Sequence, residues 1–82
     1  MVTPAAIENY IGEKIACDHL AVDGDGAHFQ AVIVSAAFMG KSRVQRHQIV
    51  YTALGDRMRE EIHALSMQTL TPDEWSRHAD KP

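Results

Sequence analysis

The chain has 82 residues, 45% of them hydrophobic and 23% charged, which describes one small globular domain with a thin core. Its net charge of −3 with neutral histidines gives no general electrostatic drive toward nucleic acid or anionic lipid. A single cysteine, Cys17, excludes an internal disulfide, and neither a membrane-length apolar run nor a charged-then-apolar leader is present, so a soluble protein of the cytoplasm with no membrane partner is expected.

Thr3-Pro4 is a cap-then-proline start, and Ile7, Tyr10, Ile11 and Ile15 recur at helical spacing behind it. That predicts a first helix of about three turns, ended by Asp18-His19. Leu20 to Asp23 alternates like a short strand. Gly24-Asp25-Gly26 is a turn, with glycines free to take positive φ. Phe29 to Ser35 is the strongest strand, and its apolar middle marks it as central in a sheet.

From Val44 onward an amphipathic helical pattern places a seam at Val44, His47, Tyr51, Leu54, Met58, Ile62 and Leu65. Gly55 costs about 1 kcal/mol against Ala inside a helix, so a kink or a break into two helices is expected there. The pattern gives out at His63-Ala64, and Leu65 to Leu70 reads as a strand. Thr71-Pro72-Asp73-Glu74 then announces a last helix, with Thr71 capping, Glu74 reaching back and Trp75 packing on its neighbours. One domain, 1–82, follows, with 79–82 frayed. Helix, strand, strand, one or two helices, strand, helix is an α+β order, most economically a three-stranded sheet with helices packed on one face.

Chemistry is sparse. Gly40-Lys41-Ser42 resembles the end of a phosphate-binding loop, but the required earlier glycine is Ser35, so a strand-to-helix turn capped by Ser42 is the better reading. Lys41, Arg43, Arg46 and His47 form a local basic patch. It reads as a charged face or as a nucleic-acid contact, and no stacking aromatic is interleaved to favour the second. His47 lies on the helical seam, where a packed core histidine is expected. No nucleophile elbow or acid–base pair stands out, so an enzyme is not expected. The chain has five histidines, none in a close zinc-style pair; His28 and His63 sit in connections, where ligands usually lie.

Three motifs carry a family resemblance. The run F-x-G-K-S-R-V-x-R-H-x-x-V-Y (Phe38 to Tyr51), then I-H-A-L-S (Ile62 to Ser66) and T-L-T-P-D-E-W (Thr69 to Trp75), closely resembles the BolA family. G-D-G-x-H-F-Q (Gly24 to Gln30) looks most like its bacterial IbaG branch. The resemblance implies an α-β-β-α-α-β-α fold similar to a type II KH domain, and a place in the stress response. It also implies a 2Fe–2S cluster shared with a monothiol glutaredoxin, whose bound glutathione supplies a thiol, in iron–sulfur trafficking or iron regulation. By that resemblance His63 matches the fixed histidine ligand and His28 the variable one. Cys17 precedes the ligand loop and inherits no role. The G-x-x-G loop of KH domains is missing, which weakens the alternative of a nucleic-acid-binding transcriptional regulator. Self-association into a homodimer stays open. Cluster chemistry agrees with sharing, because one cysteine and two histidines complete a cluster but do not hold one alone.

Overall fold

The structure, a computed structural model, describes residues 2–60, 62 and 64–79. His63 lies outside the described residues. So do residues 80–82 of the end expected to fray, whereas Ala79 is the last residue of a helix.

Helix α1 spans Pro4–Lys14. The Thr3 hydroxyl accepts from the Ala6 amide at 3.1 Å, and Pro4 takes the first turn, where a missing N–H costs nothing. Ile7 and Ile11, one turn apart, are fully buried. His19, expected to end this helix, is instead the first residue of strand β1 (His19–Gly24). The helix stops at Lys14 because Ile15 turns extended and is itself buried, which redirects the chain toward the sheet.

Strand β2 (His28–Val34) pairs antiparallel with β1, His19 facing Val34 and Gly24 facing Phe29. A single 3-10 turn, Ala36–Phe38, follows and was not legible in the sequence. Buried Ser35 organises it: its hydroxyl donates to the Ala16 carbonyl at 2.7 Å and accepts from the Ala37 amide at 3.1 Å. Helix α2 (Arg43–Leu54) starts from a reciprocal capping box between Ser42 and Gln45. It ends at Gly55, whose φ of 59° is open to glycine at little cost, and a short α3 (Arg57–Glu60) follows, so the expected break falls where glycine allows it.

Strand β3 (Ala64–Leu70) runs parallel to β2, pairing Ala64 with His28 and Leu70 with Val34, so β2 is central in the order β1-β2-β3. Helix α4 (Pro72–Ala79) opens on a second capping box, with the Glu74 amide donating to the Thr71 hydroxyl at 3.1 Å and the Thr71 amide donating to the Glu74 carboxylate at 2.8 Å. The α-β-β-α-α-β-α order expected from sequence is the observed one.

Val22, Phe29, Ala31, Ile33 and Met67 line one face of the sheet and meet Ile7, Ile11, Val50 and Leu54 in a single core, so α1 and α2 share that face. Alternation sends His19, Ala21, Asp23, His28, Gln30, Ser66 and Gln68 to the other face, and all of them are exposed. The expected packing on one face holds for α1 and α2 only: helix α4 meets the opposite face, where Trp75 stacks on His19, ring centroids 4.6 Å apart and planes 14° from parallel.

The helical seam needs correcting. Val44 is 65% exposed and Tyr51 41% exposed, while Val50 and Leu54 are fully buried with Ile49 and Ala53 packed beside them. Leu54, Met58, Ile62 and Leu65 of the expected seam do belong to the core or pack on it, but within α2 the stripe runs through Ile49, Val50, Ala53 and Leu54, not through Val44, His47 and Tyr51. Ile49, Val50, Ala53 and Leu54 have no polar atom to hold outside, whereas His47 and Tyr51 tolerate water at their tips. His47 is accordingly half-buried and edge-on to Tyr51 at 6.5 Å, outside the core cluster.

Candidate metal centre

The β1–β2 turn is built to hold His28. The Asp25 carboxylate accepts from the Ala27 amide at 3.0 Å and the His28 amide at 2.8 Å, closing an Asx-type turn. Those two amides, that of His28 first, hold the Asp25 carboxyl below its usual range. Gly24 is required by a close approach: a β-carbon there would stand 2.5 Å from the His28 carbonyl oxygen and 2.6 Å from the Phe29 ring. Gly26, at φ 99°, completes the reversal. His28 is therefore not in a slack connection, as its place after two glycines suggested, but is the first residue of β2 with its amide pinned. Its ring is exposed beside a shallow depression of about 330 Å³ lined by Asp23, Asp25 and Gln30. Sequence reasoning missed Asp25 and Gly24 as the turn's organisers; an Asp whose carboxylate lies two and three residues before free amides is the signal that finds them.

Position 63 is approached from both sides by fixed residues. Ile62 is buried, its amide donating to the Arg57 carbonyl at 3.1 Å, and the Arg57 guanidinium lies 4.0 Å over the Tyr10 ring, tying α3 to α1. Ala64 opens β3 and is the register partner of His28. The register thus brings the residue after His63 beside His28.

Cys17 belongs elsewhere. It precedes the His19 end of β1, while His28 lies at the Gly24 end, roughly 17 Å along the strand. Its Sγ–H donates to the Ile15 carbonyl at 3.4 Å, and burial, reinforced by Asp18, pushes its thiol pKa up, away from thiolate. Among the described residues no three His, Cys, Asp or Glu side chains converge as a metal site.

The basic residues surround a cleft of about 590 Å³ lined by Lys41, Arg43, Arg46, His47, Gln68 and Glu74, at the far end of β3 from Ala64. Arg46 is not a free cation in an exposed face, as its place in a basic run suggested. Its guanidinium binds the Glu74 carboxylate through both Nη atoms, at 2.7 and 3.3 Å, and donates to the Lys41 and Thr69 carbonyls at 3.0 Å each. It joins α2, β3 and α4, and only Lys41 and Arg43 of the expected nucleic-acid contacts keep exposed side chains.

Arg46, followed by the Thr71 amide, draws the Glu74 pKa from 4.5 down to about 2. A carboxyl whose folded pKa is depressed contributes stability that is present above its unfolded value and lost as pH falls through the folded one. The clamp should therefore be complete above about 4.5 and fade toward about 2. Urea midpoints of wild type and Glu74→Gln should differ near neutral pH and converge near the acid limit; a gap that stays constant with pH would show that Glu74 does not titrate in this clamp.

A family model described as BolA-like protein matches residues 11–74. The acid stress protein IbaG of Escherichia coli K12 is 38% identical over 72 residues, covering 87% of this chain and 86% of that protein. The DNA-binding transcriptional regulator BolA of Haemophilus influenzae is 44% identical over 57 residues, 70% of this chain, and that match spans 55% of the relative's own length. Among solved structures, a BolA homologue from Coxiella burnetii superposes with a TM-score of 0.86 at 42% identity, covering 94% of this chain and 100% of that one. BolA-like proteins are non-enzymatic regulators and adaptors. No helix among the described residues is long and apolar enough to cross a membrane. With the match running from within α1 into α4 and the fold superposing almost end to end on a BolA homologue, the chain belongs to the BolA family.

Proposed function

We propose that this protein is a cytoplasmic adaptor that shares a 2Fe–2S cluster with a monothiol glutaredoxin, in iron–sulfur trafficking or iron regulation, with His63 and His28 as its ligands. One observation carries the reading: the parallel register sets His28 beside Ala64, the residue that follows His63. The donor chemistry supports it. A cluster wants about four ligands, mostly thiolates, with histidine an occasional substitute. The only thiol here is turned to a backbone carbonyl and held toward its protonated form at the other end of β1. The cluster is cargo that imidazoles complete, while the partner's cysteine and its glutathione provide the sulfur. Nucleic-acid binding takes second place. The Haemophilus relative bears a DNA-binding name, and Lys41 and Arg43 are exposed beside a cleft. Yet Arg46, the central charge of that patch, is spent on Glu74.

Co-expression with a monothiol glutaredoxin, followed by a visible spectrum and an iron count, tests the reading. The isolated protein should purify colourless, and a 2Fe–2S spectrum should arise only in the mixed complex. A stoichiometric cluster on this chain alone would overturn it.

A further inference from the structure

We infer that the partner bringing the cluster docks on the helix-free part of the sheet, the face that His28 shares with Gln30, Val32, Ser66 and Gln68; this deepens the reading above and rests on it. The shallow depression beside His28 and a second of about 330 Å³ over Val32, Ser66 and Gln68 share Gln30, so the ligand and the face form one continuous surface. The register aligns that surface in rows: Asp23 with Gln30, Gln30 with Ser66, and Val32 with Gln68. Helix α4 meets this side at the His19 end, where Trp75 stacks. The His28 end is left with exposed Ala21, Gln30, Ser66 and Gln68 around a half-buried Val32.

The chemistry of the face fits a transient protein contact. No strand carries a lysine or arginine, so around His28 and Gln30 no long cationic side chain has to be desolvated on docking; the nearest cations border the face only at Gln68, where Lys41 and Arg43 line the neighbouring cleft. Amide and hydroxyl side chains offer hydrogen bonds that water can also bridge. The size matters as well. Three strands about 4.8 Å apart and about five residues long give a footprint on the order of 250 Å². That is well below the roughly 800 Å² per partner of a stable interface. Docking on the face alone is therefore weak, and the bonds from histidine to iron provide the remainder, so the partner holds while the cluster is present and leaves when it is passed on. The apolar groove between α1 and α2, lined by Lys14, Ile15, Ile49 and Ala53, shares no residue with the depression beside His28 or with the one over Val32, and its helices pack on the sheet's other face. Lys14 closes α1 just before the chain enters β1 at His19, the end of that strand opposite His28's partner residues.

The test uses the full chain with His28 and His63 intact. Ser66→Arg and Gln68→Arg each place a long cation on the face, and Gln48→Arg places the same cation beside the groove between α1 and α2. Each is titrated into a monothiol glutaredoxin carrying glutathione and a 2Fe–2S cluster, with formation of the mixed complex followed by visible circular dichroism and folding by the thermal midpoint. The face variants that keep the wild-type midpoint should bind about tenfold more weakly or worse, which is about 1.4 kcal/mol, and Gln48→Arg should match wild type. Wild-type affinity in both face variants would move docking elsewhere and leave cluster sharing standing. If wild type itself forms no cluster-bridged complex, cluster sharing fails and the docking face fails with it. Equal weakening by Gln48→Arg would also overturn the assignment, because the effect would then be general charge and not this face.

Discussion

His63→Ala is expected to abolish, or strongly bleach, the histidine-ligated spectrum of the mixed complex, while His28→Ala leaves a weaker and more labile cluster. The ranking rests on what can replace each imidazole. Asp23 and Asp25 line the same depression as His28, and Asp25 is held in its carboxylate form by two backbone amides. Oxygen donors are therefore at hand when His28 is removed, and they bind iron of this kind less well than nitrogen or sulfur. The fixed residues around position 63, buried Ile62 and the strand residues Ala64 and Leu65, bring no side-chain donor of their own. His28→Ala should keep the wild-type thermal midpoint, since His28 is exposed and its turn is held through its backbone amide, and a ligand role for His63 requires the same of His63→Ala. Iron content, visible spectrum and midpoint measured side by side decide the matter. A wild-type spectrum from His63→Ala, or a chain that simply unfolds, would make His63 structural and end the cluster-sharing proposal.

The local signals in this sequence were the reliable ones. Thr3-Pro4, Ser42, Gly55, and Thr71 with Glu74 each act within a few residues, and each cap or break lies where the residues put it. Strand β2 was legible as central because its apolar middle needs cover on both sides. What could not be read depended on partners distant in sequence. The burial phase of α2 follows from which side chains fit against α1 and the sheet, so reaching Leu54 through Val44 and Tyr51 looked as regular as the true course through Val50. Arg46 looked like one of several surface cations because Glu74, 28 residues away, is invisible to local spacing. At the site, the motifs named His28 and His63. Sequence gave no sign that β3 would run parallel to β2 with Ala64 opposite His28, a register set by the packing of Phe29, Ala31 and Ile33 beside Leu65, Met67 and Thr69.

Gly24→Ala should damage fold and site together. The added methyl meets a backbone carbonyl at 2.5 Å and a buried aromatic ring at 2.6 Å, and neither is the free end of a flexible side chain. Either the His28 carbonyl or Phe29 must move. Phe29 is 1% exposed and packs in the core beside Ala31 and Ile33, so shifting it strains the cluster that holds the sheet to its helices. Overpacking of this kind costs about 1–3 kcal/mol. If the His28 carbonyl yields instead, the 3.2 Å bond it accepts from the Asp25 amide is disturbed, along with the turn that aims the imidazole. Both routes displace the start of β2 from Ala64. A lowered urea midpoint together with weaker cluster retention in the mixed complex is the expected result, and Gly12→Ala is the control. Gly12 is exposed in α1, and its new methyl would meet only the Leu20 side chain, at an ordinary 3.8 Å, so stability should hold or rise slightly with helix propensity. If Gly24→Ala lowers stability but retains the cluster as wild type does, the turn does not aim His28. A wild-type midpoint would show that the close approach at Gly24 relaxes without strain. Loss of cluster at a midpoint lowered by no more than about 1 kcal/mol would instead be the cleanest sign that the turn exists to place its histidine, because the fold would have survived the change that moved the ligand.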